Sequence, residues 1–342
     1  MVLILSLVTF IAIHCITAES YSSIADQDCR TPNGTSGICI DIRSCQPLLP
    51  LLKKVYYDEE AVAFLRRSKC GIGIADVCCT PNPKPPNQSN LHVEGCGISN
   101  SQPSRIVGGV EAELGAWPWI AVLGYYRRSS IKWDCGGSLI NHRYILTAAH
   151  CVSPVPPAKV KLGEHNLHRE DDEAVEFNIE KTIIHPQYSI LNYANDIALI
   201  RLQRDVDFSD TVKPVCLPQT DALRSSKFEG KYPYVIGWGH TTNNGPKSDV
   251  LQQVQVPVVE NENCTKAYKK MQYSITGNQI CAGKEGKDSC QADSGGPLLL
   301  PDAERYYQIG IVSTGYKCGE PDYPGVYTRI TSYLDWINNN IE

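Results

Sequence analysis

Positive charge, long apolar runs and methionine are all in short supply in this sequence of 342 residues. Its 32 Lys and Arg are outnumbered by 37 Asp and Glu, for a net charge of −5. No strong attraction to nucleic acid or to an anionic membrane follows from that balance. Beyond the first residues no stretch is long and apolar enough to span a bilayer. No His and Cys spacing of the zinc-holding kind is present. Methionine occurs 2 times, whereas cysteine occurs 15 times. The length allows more than one domain and at least one well-buried core.

The opening run, "MVLILSLVTFIAIHCITA", is apolar and ends in small residues. It carries no Lys or Arg near its start, so the terminal amine alone supplies positive charge. It reads as a secretory signal peptide over residues 1–18, with a membrane anchor as the alternative. Its removal takes Cys15 away and leaves 14 of the 15 cysteines, an even number. In a secreted, extracellular protein, disulfide pairing of such a set is the default. Sequons at Asn33, Asn87 and Asn263 fit a glycosylated surface, although the third contains Cys264.

The cysteines fall into two groups, six between Cys29 and Cys79 and eight between Cys96 and Cys318. The first group occupies a segment too short to be held by apolar burial, so disulfides have to staple it. Cys78 and Cys79 are adjacent, which sends them to different partners. The closely spaced glycines of "CGIGIADVC" have no strand-turn-helix context that would make a nucleotide loop. "TPNPKPPNQSN" then reads as an extended linker.

From Ile106 onward, runs such as "WIAVLGYY", "AVEFNIEKTII", "DIALIRL" and "YYQIGIVSTG" are rich in β-branched and aromatic residues. Gly, Pro and Asn turns separate them, which predicts an antiparallel barrel or sandwich. At the end, Ile330, Tyr333, Leu334, Ile337 and Ile341 have helical spacing and predict a packed helix.

Three stretches carry candidate chemistry. "LTAAHC" offers His150 at the end of an apolar strand, beside Cys151. "NDIALI" offers Asp196 at the head of an apolar run, where a buried carboxylate needs a partner. "DSGGP" offers Ser294, a poor nucleophile unless a base takes its proton and a carboxylate orients that base. Each alone is more often structural. In these contexts and in this order, the three together point to a serine nucleophile.

On these motifs the chain from Ile106 to its end resembles a chymotrypsin-family serine protease. The N-terminal cysteine group resembles the clip domain of arthropod serine protease zymogens, such as those activating prophenoloxidase, Toll ligands or clotting proteins. The resemblance implies an all-β fold of two six-stranded antiparallel β-barrels with a C-terminal helix, preceded by a small disulfide-stapled clip domain. It implies a clip domain over 29–79, a linker over 80–105 and a protease domain over 106–342. The implied disulfides are Cys29–Cys78, Cys39–Cys70, Cys45–Cys79, Cys135–Cys151, Cys264–Cys281, Cys290–Cys318 and Cys96–Cys216, the last joining the parts across a cleavage point.

By the same resemblance Ser294 attacks a peptide carbonyl, His150 carries its proton to the leaving amine, and Asp196 holds the imidazole. The N–H groups of Ala292 and Ser294 face the oxyanion. Asp288 stands at the base of the primary pocket with Gly315 and Gly325 as its walls, which implies cleavage after Arg or Lys. "SRIVGG" implies activation by cleavage of Arg105–Ile106, after which the Ile106 amine pairs with Asp293. The implied partners are an upstream trypsin-like activator, a downstream protein zymogen and serpin-type inhibitors, in melanisation, Toll signalling, clotting or venom. No cofactor is required. The acidic loop "GEHNLHREDDEAVE" offers Glu164, Asp171 and Glu173 as hard ligands for a structural calcium, with a plainly solvated loop as the alternative.

Two residues depart from the family pattern. Ala292 stands where the family has glycine, and Thr314 where it usually has an aromatic. An inactive homologue acting as a binding cofactor is therefore the competing class, against which the retained Ser294 argues.

Overall fold

The computed structural model describes residues 28–32, 34, 36–45, 48–52, 58–71, 73, 75–79, 91, 93–100, 109–128, 130–169, 174–240, 245–271, 273–283, 294–315 and 323–342. Two compact units divide the chain, Met1–Asn87 and Gln88–Glu342.

In the first unit, strands β1 (Asp28–Arg30), β2 (Ser36–Asp41) and β3 (Asp76–Cys79) form an antiparallel sheet in that order. Two helices, α1 (Leu49–Leu52) and α2 (Glu59–Arg67), lie between β2 and β3 in the chain. The apolar cluster is small, with Cys45, Leu48, Val77 and Cys79 at its centre. Cross-links supply the missing stability: Cys29–Cys78, Cys39–Cys70 and Cys45–Cys79, spanning 49, 31 and 34 residues. In the chain-entropy picture, loops of that size contribute about 4 kcal/mol each. Neighbours on a strand point to opposite faces, so Cys78 and Cys79 reach separate partners without strain. Helix α2 starts at Asp58, whose carboxylate accepts from Ala61 N at 3.0 Å, and ends with Arg66 and Arg67 near its negative pole.

The second unit opens with β4 (Val110–Glu111). Six strands then make a closed barrel: β5 (Ile120–Arg127), β6 (Ser130–Leu139), β7 (Tyr144–Thr147), β8 (Lys159–Leu162), β9 (Val175–Ile184) and β10 (Ala198–Leu202), ordered β10-β7-β6-β5-β8-β9. After the short α3 (Asp221–Arg224) come β11 (Tyr234–Gly237), β12 (Gln252–Gln255), β13 (Val258–Val259), α4 (Asn261–Tyr268), β14 (Gln279–Ala282), β15 (Pro297–Asp302), β16 (Arg305–Thr314) and β17 (Gly325–Arg329).

The second sheet is ordered β13-β14-β17-β16-β15-β11-β12-β4. Its β12 and β13 are two pieces of one strand. Residues 252–259 are interrupted at Pro257, which has no N–H to give a ladder. The pairing still runs through on both sides: Val256 N bonds Pro233 O at 3.0 Å, and Gly283 N bonds Pro257 O at 2.9 Å. Counted through that break, six strands close on themselves, with β4 as an addition at the rim.

Helix α5 (Leu334–Asn340) ends the chain and buries Leu334 and Ile337. It is shorter than the sequence spacing predicts, because Ile330 lies in a preceding 3-10 turn over Ile330–Ser332. All five residues of that apolar pattern are nonetheless buried. Tight turns of two geometries thus serve one buried stripe.

The Asp58 cap gives a direct test of the first unit. Asp58→Ala should cost α2 about 1 kcal/mol, read as faster amide hydrogen exchange through that helix with the three disulfides intact.

Candidate active site

His150 sits in a 3-10 turn, Ala149–Cys151, immediately after β7. Its disulfide neighbour Cys151 is joined to Cys135 on β6. The Tyr125 hydroxyl also donates to the Cys151 carbonyl at 2.7 Å, so the turn is held from two strands. Asp196 lies two residues before β10 and is fully buried. Its carboxylate accepts three hydrogen bonds: from His150 N at 2.9 Å, from His150 Nδ1 at 2.8 Å and from Ser313 Oγ at 2.6 Å. The Thr328 hydroxyl donates to its carbonyl oxygen at 2.7 Å. A buried carboxylate surrounded in this way is paid in full for its lost water.

That network leaves the imidazole with Nδ1 held by Asp196 and Nε2 free for another partner. Nε2 lies 3.6 Å from Cys151 Sγ, and the same sulfur is 3.5 Å from the Ser294 carbonyl oxygen. Ser294 is anchored by its backbone. Its carbonyl accepts from Gly136 N at 2.8 Å, while the next residue, Gly295, donates to Val312 O at 2.9 Å. Gly295 has φ +80°, and a Cβ there would lie 2.3 Å from Thr147 Oγ1 and 2.5 Å from Gly136 O. Only glycine fits that turn. The structure therefore gathers His150, Asp196 and Ser294 around the Cys135–Cys151 bridge.

Further residues frame the centre. The Tyr193 ring meets His150 edge-on at 5.7 Å between centroids, from a backbone at φ +50°. Asn195, at φ +54°, accepts from the Tyr333 hydroxyl at 2.9 Å. Burial, and then the charge of Asp196, push the Tyr333 phenol up to about 12. The same causes in the same order push Tyr188 up as well. Both rings stay neutral beside the buried anion. Sequence reasoning missed Ser313, Thr328 and Tyr193. Ser313 had a weak signal, as a polar residue inside the apolar run of β16.

Of the two glycines expected to wall a pocket, Gly315 is exposed just after β16, and Gly325 is buried on β17 opposite Ala282. Thr314 is half-buried and pairs with Val326 at a register shift in β16. Arg105, Ile106, Asp171, Glu173, Asp288, Cys290, Ala292, Asp293, Cys318, Asn33 and Asn87 lie outside the described residues. Asn263 is exposed on α4, ahead of the buried Cys264–Cys281 bond. Cys96–Cys216 joins the start of this unit to its middle.

Two groups of metal-ligating side chains have other partners among the described residues. Cys135, His150 and Cys151 lie close together, but both sulfurs are spent in one disulfide and offer no thiolate. Glu164 is buried, and its carboxylate faces Lys161 Nζ at 3.1 Å and accepts from His165 N at 3.0 Å. Lys161 in turn lies over the Trp133 ring at 4.7 Å. An ammonium thus faces the Glu164 carboxylate, while Asp171 and Glu173 of the same expected set lie outside the described residues.

A serine between two barrels, with a histidine and a buried aspartate at hydrogen-bond distance from each other, defines a serine endopeptidase. Residues 106–337 match the family described as Trypsin, and residues 29–79 the Regulatory CLIP domain of proteinases. The chain belongs to the trypsin family of serine proteases, among its clip-domain members, and is a trypsin-like serine endopeptidase. It is 45% identical over 328 residues to the venom serine protease Bi-VSP of Bombus ignitus, covering 90% of this chain and 91% of the relative. It is 40% identical over 334 residues to the proclotting enzyme of Tachypleus tridentatus, covering 88% and 86%. The crystal structure of the Drosophila Grass clip serine protease of the Toll pathway aligns with a TM-score of 0.67 at 32% identity, over 92% of this chain and 97% of that one. Membership of this family places the protein in extracellular protease cascades.

Gly295 offers the sharpest check on this geometry. Gly295→Ala should lower Tm and cut kcat at least a hundredfold, because the added Cβ has to move either Thr147 or the Gly136 strand. Melting curves and single-turnover hydrolysis of an Arg ester read the two effects.

Proposed function

We propose that the protein is secreted as a zymogen, is switched on by cleavage after Arg105, and then cuts protein substrates after Arg or Lys. The observation that carries this reading is the Asp196–His150 hydrogen bond at 2.8 Å beside the anchored Ser294. In that arrangement Asp196 holds Nδ1 as the donor, so Nε2 takes the Ser294 proton as the hydroxyl oxygen attacks the carbonyl. The same nitrogen returns the proton to the leaving amine, and water repeats the sequence on the acyl-enzyme. N–H groups at Ala292 and Ser294 stabilise the oxyanion. Asp288, between Gly315 and Gly325, pairs with the cationic side chain before the cut. An Arg-directed protease upstream, a protein zymogen downstream and serpin-type inhibitors are the partners of such an enzyme. The pairing of the new Ile106 amine with Asp293 is the switch, since that amine does not exist before cleavage.

Arg105→Gln should remain single-chain and inactive towards a trypsin-like activator. The cleaved wild type should keep its two parts together through Cys96–Cys216 on non-reducing gels and release them on reduction. Parts that separate without reductant would remove that disulfide from the reading.

Ala292 decides how fast the enzyme runs. Alanine still supplies an N–H, but a β-carbon in a left-handed conformation costs about 1–2 kcal/mol, and loss of one oxyanion donor costs about 10²–10³ in rate. Ala292→Gly should raise kcat between several-fold and about a hundredfold, with binding of a benzamidine-like cation unchanged. Activity in the glycine variant alone, by active-site titration, would favour a cofactor role for the natural protein. Equal rates would show that alanine holds the donor without strain.

A further inference from the structure

We propose that Tyr333, at the entrance to α5, is a positioning residue for proton transfer, acting through Asn195 on the direction of the Asp196 carboxylate. The proposal deepens the hydrolytic reading above and rests on it. Asp196 is the centre of a three-residue turn, in which Ile197 N donates to Asn195 O at 2.9 Å. In so tight a turn, the peptide ahead of the central residue sets where its side chain points. The aim of Asp196 at His150 Nδ1 is therefore inherited from Asn195.

Asn195 needs help to hold its own conformation. Its φ of +54° lies in the left-handed region, which is unfavourable for any residue with a β-carbon, though less so for asparagine than for most. Such a residue persists where its surroundings over-determine it. Here both ends of the side chain are tied. Nδ2 donates to Gln187 O at 2.8 Å, and Oδ1 accepts from the Tyr333 hydroxyl at 2.9 Å. The first tie stays local, eight residues back. The second spans 138 residues and comes from the last turn before the final helix.

Tyr333 is itself held firmly enough to serve as an anchor. It is 4% exposed, and the His185 ring meets it edge-on at 5.4 Å between centroids. Its N–H bonds Ile330 O at 2.9 Å, and its carbonyl accepts from Ile337 N at 2.8 Å. The Asn278 side chain donates to the same phenol, opposing the upward push of burial. Asn278 O in turn accepts from Arg329 N at 2.9 Å, one residue after the Thr328 that serves the Asp196 carbonyl. The hydroxyl therefore accepts from one side and donates to Asn195 on the other. Tyr188 also borders the buried anion, yet its hydroxyl has no hydrogen-bond partner among the described residues. Nearness to the charge is common to both phenols. The tie to Asn195 belongs to Tyr333.

The test uses the activated full chain and a small Arg ester. Tyr333→Phe keeps the ring and removes the bond to Asn195. It should lower kcat about tenfold and leave KM within about twofold of the wild type, because a small misplacement of a reacting group is felt in the chemical step. Asn195→Gly takes the left-handed conformation without strain and cuts both ties, so it should lower kcat at least as far. Adding Tyr333→Phe to Asn195→Gly should change kcat no further, since Tyr333 acts through that side chain. Wild-type kcat in the Tyr333→Phe protein, whatever its Tm or KM, assigns the ring to packing and overturns the proposal. Effects that multiply in the double variant overturn it too, because Tyr333 would then act by another route. If the wild type does not hydrolyse the ester, the hydrolytic reading has failed, and the positioning is decided without turnover. The low-field proton resonance of His150 Nδ1–H, recorded on the Ser294→Ala protein, should shift on Tyr333→Phe. An unmoved resonance overturns the proposal.

Discussion

A single buried carboxylate ties the two barrels to one another. Asp196 reaches His150 from the first barrel and accepts from Ser313 on β16, while Thr328 on β17 takes its carbonyl. An ionised carboxylate left alone in such a place is unfavourable by several kcal/mol. Its donors come from both halves of the unit, so neither half can satisfy it by itself. The orientation of the imidazole is therefore a property of the assembled pair of barrels. Barrel packing and imidazole orientation are coupled through one side chain.

Around that anion, the fold uses small residues wherever strands have to come close. Gly136 and Gly295 let β6, β7 and β16 converge on the Ser294 backbone. Larger groups take up the periphery. Tyr188 and Tyr333 border the same charge with phenols that burial keeps protonated. The Tyr333 hydroxyl donates to Asn195, next to Asp196 in the chain.

Much of this was legible in the sequence. The β-rich runs, their turns and the contexts of His150, Asp196 and Ser294 are local patterns, each written within a few residues. What was not legible is non-local. Ser313 and Thr328 lie 117 and 132 residues from the aspartate they serve. No local pattern connects such distant polar residues. Pro257 broke one strand into two pieces whose unity appears only when both neighbours are seen. The Lys161 ammonium beside Glu164 was hidden for a different reason: an acidic loop looks the same whether its charge is met by an ion or by a side chain. In the C-terminal pattern the burial and the helix were read correctly and only its first turn, Ile330–Ser332, differs, because a 3-10 turn and a helix present nearly the same stripe.

The Cys135–Cys151 bridge closes 16 residues and abuts both the imidazole and the Ser294 backbone. It braces the reactive centre directly, whereas the clip disulfides brace a scaffold. The alignment of the His150 turn is thereby tied to the redox state of the surroundings. A copy of this chain retained in a reducing compartment would lose the brace at the very point where alignment matters most. The same bond that holds the histidine's turn is of a kind that forms and persists in oxidising surroundings.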